Sequence, residues 1–147
     1  MRRTHNAYHR SGCPIGIALD LVGDPWTLLV VRDLMFKGAK TYLDFVNAGE
    51  GIATNVLSDR LARLEEHDIV DKTRDPNDGR RFIYELTEKG IDLAPVLLEF
   101  VLWASRYHKT DAPTQVLKAM RNDREAFLNN LRLQWSNSRK QKTTVKK

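Results

Sequence analysis

Three residues near the start of one apolar-striped segment, Thr54, Asn55 and Ser58, carry two hydroxyls and a carboxamide, and further along Arg74, Arg80 and Arg81 flank the run Asp75-Pro76-Asn77-Asp78-Gly79. An Asn amide can pair bidentately with adenine N6 and N7, hydroxyls reach bases or phosphates, and guanidiniums bind phosphate oxygens or enter a minor groove. Nothing in the chain suggests bond-making chemistry to set beside this recognition chemistry. The four histidines, His5, His9, His67 and His108, have no metal-ligand spacing, and no HExxH, P-loop or GxGxxG pattern occurs. Gly49-Glu50-Gly51 falls between expected helices and reads as a turn, and His67 reads as a helix C-cap. We therefore expect neither an enzyme nor a metal or cofactor site.

The elements that would position these groups follow from periodicity and capping chemistry. Residues 52–68 place Leu57, Leu61 and Leu64 on one helical stripe, which turns Asn55, Ser58, Asp59, Ala62 and Arg63 outward. Arg63 is expected at the nucleic acid or paired with Asp59 at i+4, and Asp59 could instead accept from a cytosine amine. Next come two short β-rich runs, residues 69–74 and 81–86, joined by Asp-Pro-Asn-Asp-Gly, whose Pro and Gly are strong turn formers. Alternation gives Phe82, Tyr84 and Leu86 one face of this hairpin. From Lys72 to Arg81 there are four basic and two acidic residues, so its tip is locally positive.

Upstream, a short helix over Pro14–Val22 should bury Ile17, Ala18 and Leu21. Asp24 is an N-cap signal followed by Pro25, for a helix over residues 26–36 closed by Lys37-Gly38. Thr41-x-x-Asp44 is a capping box opening a small helix over residues 41–46, with residues 47–51 as the turn before the outward-facing helix. Thr41 is also placed to touch a phosphate backbone. The order helix, turn, helix, hairpin predicts a mainly α fold with a small β-hairpin wing, a winged helix-turn-helix.

Residues 13–108 resemble the HxlR-type winged helix-turn-helix transcriptional regulators, relatives of the MarR group. The resemblance rests on Cys13-Pro14, Leu19-Asp20-Leu21-Val22-Gly23, Trp26-Thr27-Leu28-Leu29 and Arg32-Asp33-Leu34. It continues through Gly51-Ile52, Val56-Leu57, Arg60-Leu61, Leu64-Glu65, Arg81, Tyr84-x-Leu86-Thr87 and Gly90. It implies a dimeric regulator of double-stranded DNA, repressor or activator, responsive in many members to a small molecule or to thiol oxidation. Two departures stand out: Ala53 and Asn55 replace a Ser and a longer polar or basic residue, and the wing is more MarR-like than the proline-rich wing of the family.

Assembly is read from the segment after Thr87, expected to cap one long helix running through Pro95, which should bend it, to about Tyr107. Between Leu93 and Ala104 only Glu99 is charged, and a helix apolar all round must be covered all round. Leu98, Val101 and Leu102 are therefore expected at a homodimer contact. Residues 114–135, with Val116, Leu117, Met120, Phe127, Leu131 and Trp135, could alternatively or additionally fold back as a helical extension (109–135). Residues 1–12, with Arg2, Arg3, His5, His9 and Arg10, read as a disordered arm, and residues 136–147 as a basic disordered tail. That tail holds five basic and no acidic residues, which accounts for the whole net charge of +5. DNA binding must then be argued from local patches.

No apolar run is long enough to span a bilayer, and the basic start is not followed by an apolar region, so neither a membrane anchor nor a signal peptide is expected. One cysteine among 147 residues excludes an internal disulfide framework and fits a cytoplasmic protein. That residue, Cys13, precedes Pro14 and so stands at a helix N-cap near Arg10. Some members of the family use a cysteine at this position to sense oxidants, which makes Cys13 a candidate redox sensor. Lacking a second thiol in its chain, it would have to pair across a dimer or with a small thiol. A winged-helix protein-interaction module and a nonspecific architectural DNA binder are the alternative readings.

Overall fold

The computed structural model describes residue His9 and residues 11–144. The expected N-terminal arm, with Arg2, Arg3, His5 and Arg10, lies outside the described residues apart from His9, Ser11 and Gly12, as do the last three residues of the tail. Ten elements follow: α1 (Pro14–Val22), α2 (Thr27–Phe36), α3 (Tyr42–Val46), α4 (Thr54–Glu66), β1 (Val70–Arg74), β2 (Phe82–Leu86), α5 (Glu88–Ile91), α6 (Ala94–Tyr107), α7 (Thr114–Asn122) and α8 (Arg124–Thr144). The strands form one antiparallel ribbon in which Val70 faces Leu86, Lys72 faces Tyr84 and Arg74 faces Phe82. Tyr84 N donates to Lys40 O at 2.8 Å, so the chain between α2 and α3 pairs with the far edge of β2.

Local chemistry starts three of the helices, α2, α3 and α5, where the sequence says it should. Asp24 Oδ2 accepts from the backbone N–H groups of Trp26 and Thr27, both at 3.1 Å, which satisfies donors that open α2. Thr41 and Asp44 form the reciprocal capping box of α3, and the Thr87 hydroxyl accepts from Gly90 N at 3.1 Å to open α5. In the turn between α3 and α4, Gly49 and Gly51 take φ of 90° and 71°, a region costly for residues with a Cβ.

The core lies where the stripe Leu57, Leu61 and Leu64 of α4 meets Val30 and Val31 of α2, Phe45 of α3, and Val70, Tyr84 and Leu86 of the ribbon. Burying each such side chain stabilises the fold by about 1.5–3 kcal/mol. The ring of Phe45 meets that of Tyr84 edge-on, with centroids 6.0 Å apart. Ala18, expected inward, is exposed: α1 turns Val22 into the core, with Leu21 packed partly against it.

Three expectations about the C-terminal half are corrected. The long helix is two helices, α5 and α6, separated at Asp92 and Leu93. Just before this break Gly90 packs against the ribbon, where a Cβ would stand 2.3 Å from the Ile69 carbonyl oxygen, and just after it Pro95 has no N–H to offer the Ile91 carbonyl. The chain must hug the ribbon there and then change direction. Pro95 consequently sits in the first turn of α6, where its missing N–H costs nothing, and starts a helix instead of bending one. Finally, the part of 136–147 expected to be loose is helical to Thr144. It is held by contacts distant in sequence: Arg139 to Asp71 at 2.9 Å and to the Leu86 carbonyl at 2.8 Å, and Lys142 to Glu85. One turn earlier Trp135 Nε1 donates to Leu86 O at 2.8 Å, and Arg132 binds Glu88 and Asp92 of the α5 region.

Candidate nucleic-acid interface

With Leu57, Leu61 and Leu64 buried, α4 presents Thr54, Asn55 and Ser58 to solvent on its first turns, as the stripe predicted. The start of this helix is pinned by a residue that the sequence did not single out. Tyr42 Oη donates to the Thr54 carbonyl at 3.0 Å and accepts from Ser58 Oγ at 3.4 Å, tying α3 to the exposed end of α4. Its only sequence signal is an aromatic next to the Thr41 cap. Thr41 itself is half-buried and spends its hydroxyl on the capping box, so its side chain is first a structural group.

Further along α4 the charged partners differ from expectation. Asp59 pairs with Arg60, not with Arg63. Arg60 also donates from Nε to Asp24 Oδ2 at 2.7 Å, joining α4 to the cap of α2. Arg63 turns back to the Asp20 carbonyl of α1 at 3.2 Å, where the C-terminal end of a helix attracts cations. Arg63 is therefore removed from the outward set. Burial alone would raise the Asp24 carboxyl, but hydrogen bonds from the Thr27 hydroxyl, Arg60 and the two backbone amides outweigh it and bring its pKa to about 2. On the other side, Arg32 bridges the buried Asp33 and Glu50, both at 2.7 Å, and thereby fixes the turn that delivers α4.

The wing tip divides its arginines. Arg81 is held by Asp75 through Nε at 2.8 Å and through Nη2, and Asp75 is itself buried and accepts from Asn77 N at 2.8 Å. The Asn77 amide first, and the Arg81 guanidinium second, hold the Asp75 carboxyl below the usual range. Arg74 donates to the Gly79 carbonyl across the turn. Arg80, with 96% of its side chain exposed, is the most accessible of the three. Lys72 Nζ stands 4.3 Å and Arg74 Cζ 5.0 Å from the centre of the Phe82 ring, which holds two cations on one face of the ribbon. Of the eight residues expected at the nucleic acid, six are exposed (Thr54, Asn55, Ser58, Arg74, Arg80 and Arg81) and Thr41 and Arg63 are half-buried; Arg81, though exposed, is held by the buried Asp75.

The expected dimer set is also revised. Leu98 is 0% exposed and belongs to the core of its own chain, because α6 turns it inward with Leu97 and Ala94. Val101 and Leu102 are half-buried, and the exposed apolar ridge of α6 is Val96, Phe100, Trp103 and Tyr107. Cys13 is exposed at the N-cap of α1. Among the described residues there is no cluster of His, Cys, Asp and Glu able to hold a metal ion, and no single helix is long and apolar enough to cross a membrane.

A reading helix pinned at both flanks, followed by a cationic ribbon, is the arrangement of winged helix-turn-helix proteins. Residues 21–112 match the model of the HxlR-like helix-turn-helix family. The chain belongs to that family. It is 37% identical over 86 residues to sll1512, an HTH-type transcriptional regulator of Synechocystis sp., a match covering 58% of this chain and 63% of that one. The chain thus spans under two thirds of that relative's length. Among solved structures, that of PA1607, described as a putative transcription factor, superposes with a TM-score of 0.63 at 32% identity, covering 71% of this chain and 72% of the other. The reduced form of the transcriptional regulator YodB from Bacillus subtilis gives 0.55 at 32% identity, covering 67% and 97%. The family match ends before α7, so α7 and α8 lie outside it.

Proposed function

We propose that this protein is a cytoplasmic, sequence-specific regulator of transcription that binds double-stranded DNA as a homodimer on a palindromic site. The observation that carries this reading is the polar first turn of α4, with Thr54, Asn55 and Ser58 exposed on its outer face while Tyr42, Arg60 and Arg32 hold the helix in place. Thirteen residues make α4 roughly 20 Å long, a rod that fits a major groove about 12 Å wide. Asn55 reads a base, Thr54 and Ser58 reach bases or phosphates, and Arg80 with the Lys72–Arg74–Phe82 face supplies backbone or minor-groove contacts. Two copies joined through the α6 ridge of Val96, Trp103 and Tyr107, together with exposed Ile15 and Leu19 of α1, would set two reading helices about 34–36 Å apart.

Selection of bound sequences from random duplexes tests this directly. A palindromic winner whose preference relaxes in Asn55→Ala, at a cost of about 1–3 kcal/mol at one base position, supports the reading. Equal binding to every duplex would make the protein an architectural binder, and no binding would leave a protein-interaction module. A second reading concerns regulation. YodB is known in diamide-treated and quinone-bound forms and HypR is a redox regulator. The exposure of Cys13 at the start of α1 supports the same kind of control here. Oxidant should weaken operator binding in the wild type and not in Cys13→Ser; equal behaviour of the two removes Cys13 as the switch.

A further inference from the structure

Between α2, α6, α7 and α8 lies a cavity of about 870 Å³. Leu29 and Phe36 of α2, Phe100 of α6, Val116 of α7 and Leu131 of α8 form much of its apolar wall, and residues 110–113 form part of its rim. Two of these four walls, α7 and α8, lie beyond the residues that match the family. The space falls within the roughly 300–1,000 Å³ of small-molecule sites, which are mostly apolar with a few convergent polar groups. Those groups are present. Asn130 and Gln134, one turn apart on α8, face the cavity, and their amides have no hydrogen-bond partner among the described residues. Its charged lining groups are Lys37, Arg32 and Asp111; Arg32 is already paired with Asp33 and Glu50, whereas Lys37 has no ion-pair partner among the described residues. Ser105 and Thr110 are already hydrogen-bonded to each other.

The geometry points to a binding site for an apolar organic anion, with its ring or chain body against Leu29, Phe100 and Leu131 and its charged end at Lys37 and Arg32. Arg32 gives such a ligand a route to the reading helix. The same guanidinium that lines the cavity donates to Glu50, in the turn that delivers α4, at 2.7 Å. An anion at Arg32 competes with Glu50 and loosens that turn. The site itself stands on the cavity alone, and only its regulatory effect rests on the DNA-binding reading.

The probe is 8-anilinonaphthalene-1-sulfonate, an apolar ring system with one anionic group, titrated into the full chain without DNA. Fluorescence should saturate at one dye per chain. Val116→Trp, which fills the cavity from a half-exposed position, should weaken binding at least tenfold, and the surface change Lys37→Glu should weaken it several-fold. Leu133→Glu, on an exposed position of α8 outside the cavity and outside the α6 ridge, should leave it unchanged. Binding that does not saturate, or that is lost in Leu133→Glu and kept in both Val116→Trp and Lys37→Glu, overturns the site. A change of association state in Val116→Trp by sedimentation also overturns it, because the groove would then be a contact between chains. With the site intact, saturating dye should weaken binding of the selected duplex about tenfold in the wild type, and unchanged affinity overturns the regulatory role.

Discussion

Replacing Asp24 by Asn keeps the size of the side chain but removes the charge that joins the α2 cap to Arg60 of α4. In the folded chain the Asp24 carboxyl titrates at about 2, against an ordinary 3.8. At about 1.4 kcal/mol per pKa unit, that difference corresponds to roughly 2 kcal/mol of stability carried by the ionised form. With 21% of the side chain exposed, solvent screening takes little from that figure. The folded-state value is depressed, so this stability is fully present above the unfolded value near 3.8 and is lost as pH falls toward 2. Urea unfolding of wild type and Asp24→Asn at steps from pH 7 to pH 2.5 isolates the effect, since other carboxylates titrate in both. The expected gap is about 2 kcal/mol from neutral pH down to about pH 4.5, closing progressively below that. A gap that stays constant down to pH 2.5, or none at pH 7, would show that the Asp24 charge does not hold the two helices together.

Arg80→Ala should weaken binding to all duplexes alike and lower the salt slope by roughly one, with no change in folding. Arg81→Ala should act differently, because it strands the buried Asp75: amide hydrogen exchange at Asn77 and along the wing should accelerate, which it should not in Arg80→Ala. Gly90→Ala forces a Cβ against the Ile69 carbonyl and should cost on the order of 1–3 kcal/mol in thermal or urea unfolding; wild-type stability would contradict the close approach. Sedimentation of the wild type should report twice the 16.9 kDa chain mass, and Trp103→Glu should halve it. An unchanged dimer in that variant would place the contact away from the α6 ridge.

What could be read in the sequence was what is decided within a few residues. Asp24 before Pro25, Thr41 three before Asp44, the leucines of α4 and the turn between the strands each act through neighbours in the chain, and each forms as read; Thr87 caps a helix as read, but a short one. What failed was decided by distant partners. Arg60 and Arg63 are equally good helix formers, and only the positions of Asp24 and of the α1 carbonyls decide which one turns to which. Leu98 looked like its neighbours on an all-apolar helix, but which face of α6 turns inward depends on how the chain leaves the ribbon after the break at Asp92 and Leu93. The segment 136–144 has the composition of a solvated tail. Its helix is secured by Asp71, Glu85 and Leu86, more than fifty residues earlier.

The position of α8 also governs what the wing shows to a polyanion. Arg139 and Lys142 cover Asp71 and Glu85 on the ribbon, and Arg132 covers Glu88 and Asp92 just after it. With three cations set against these four carboxylates from behind, most of their charge is offset and the field around the hairpin is dominated by Lys72, Arg74 and Arg80. A chain shortened before α8 would therefore do more than lose basic residues. It would unmask a belt of negative charge at the base of the wing, and its attraction to phosphate would fall, most of all at low ionic strength, even if α8 never comes within reach of the duplex.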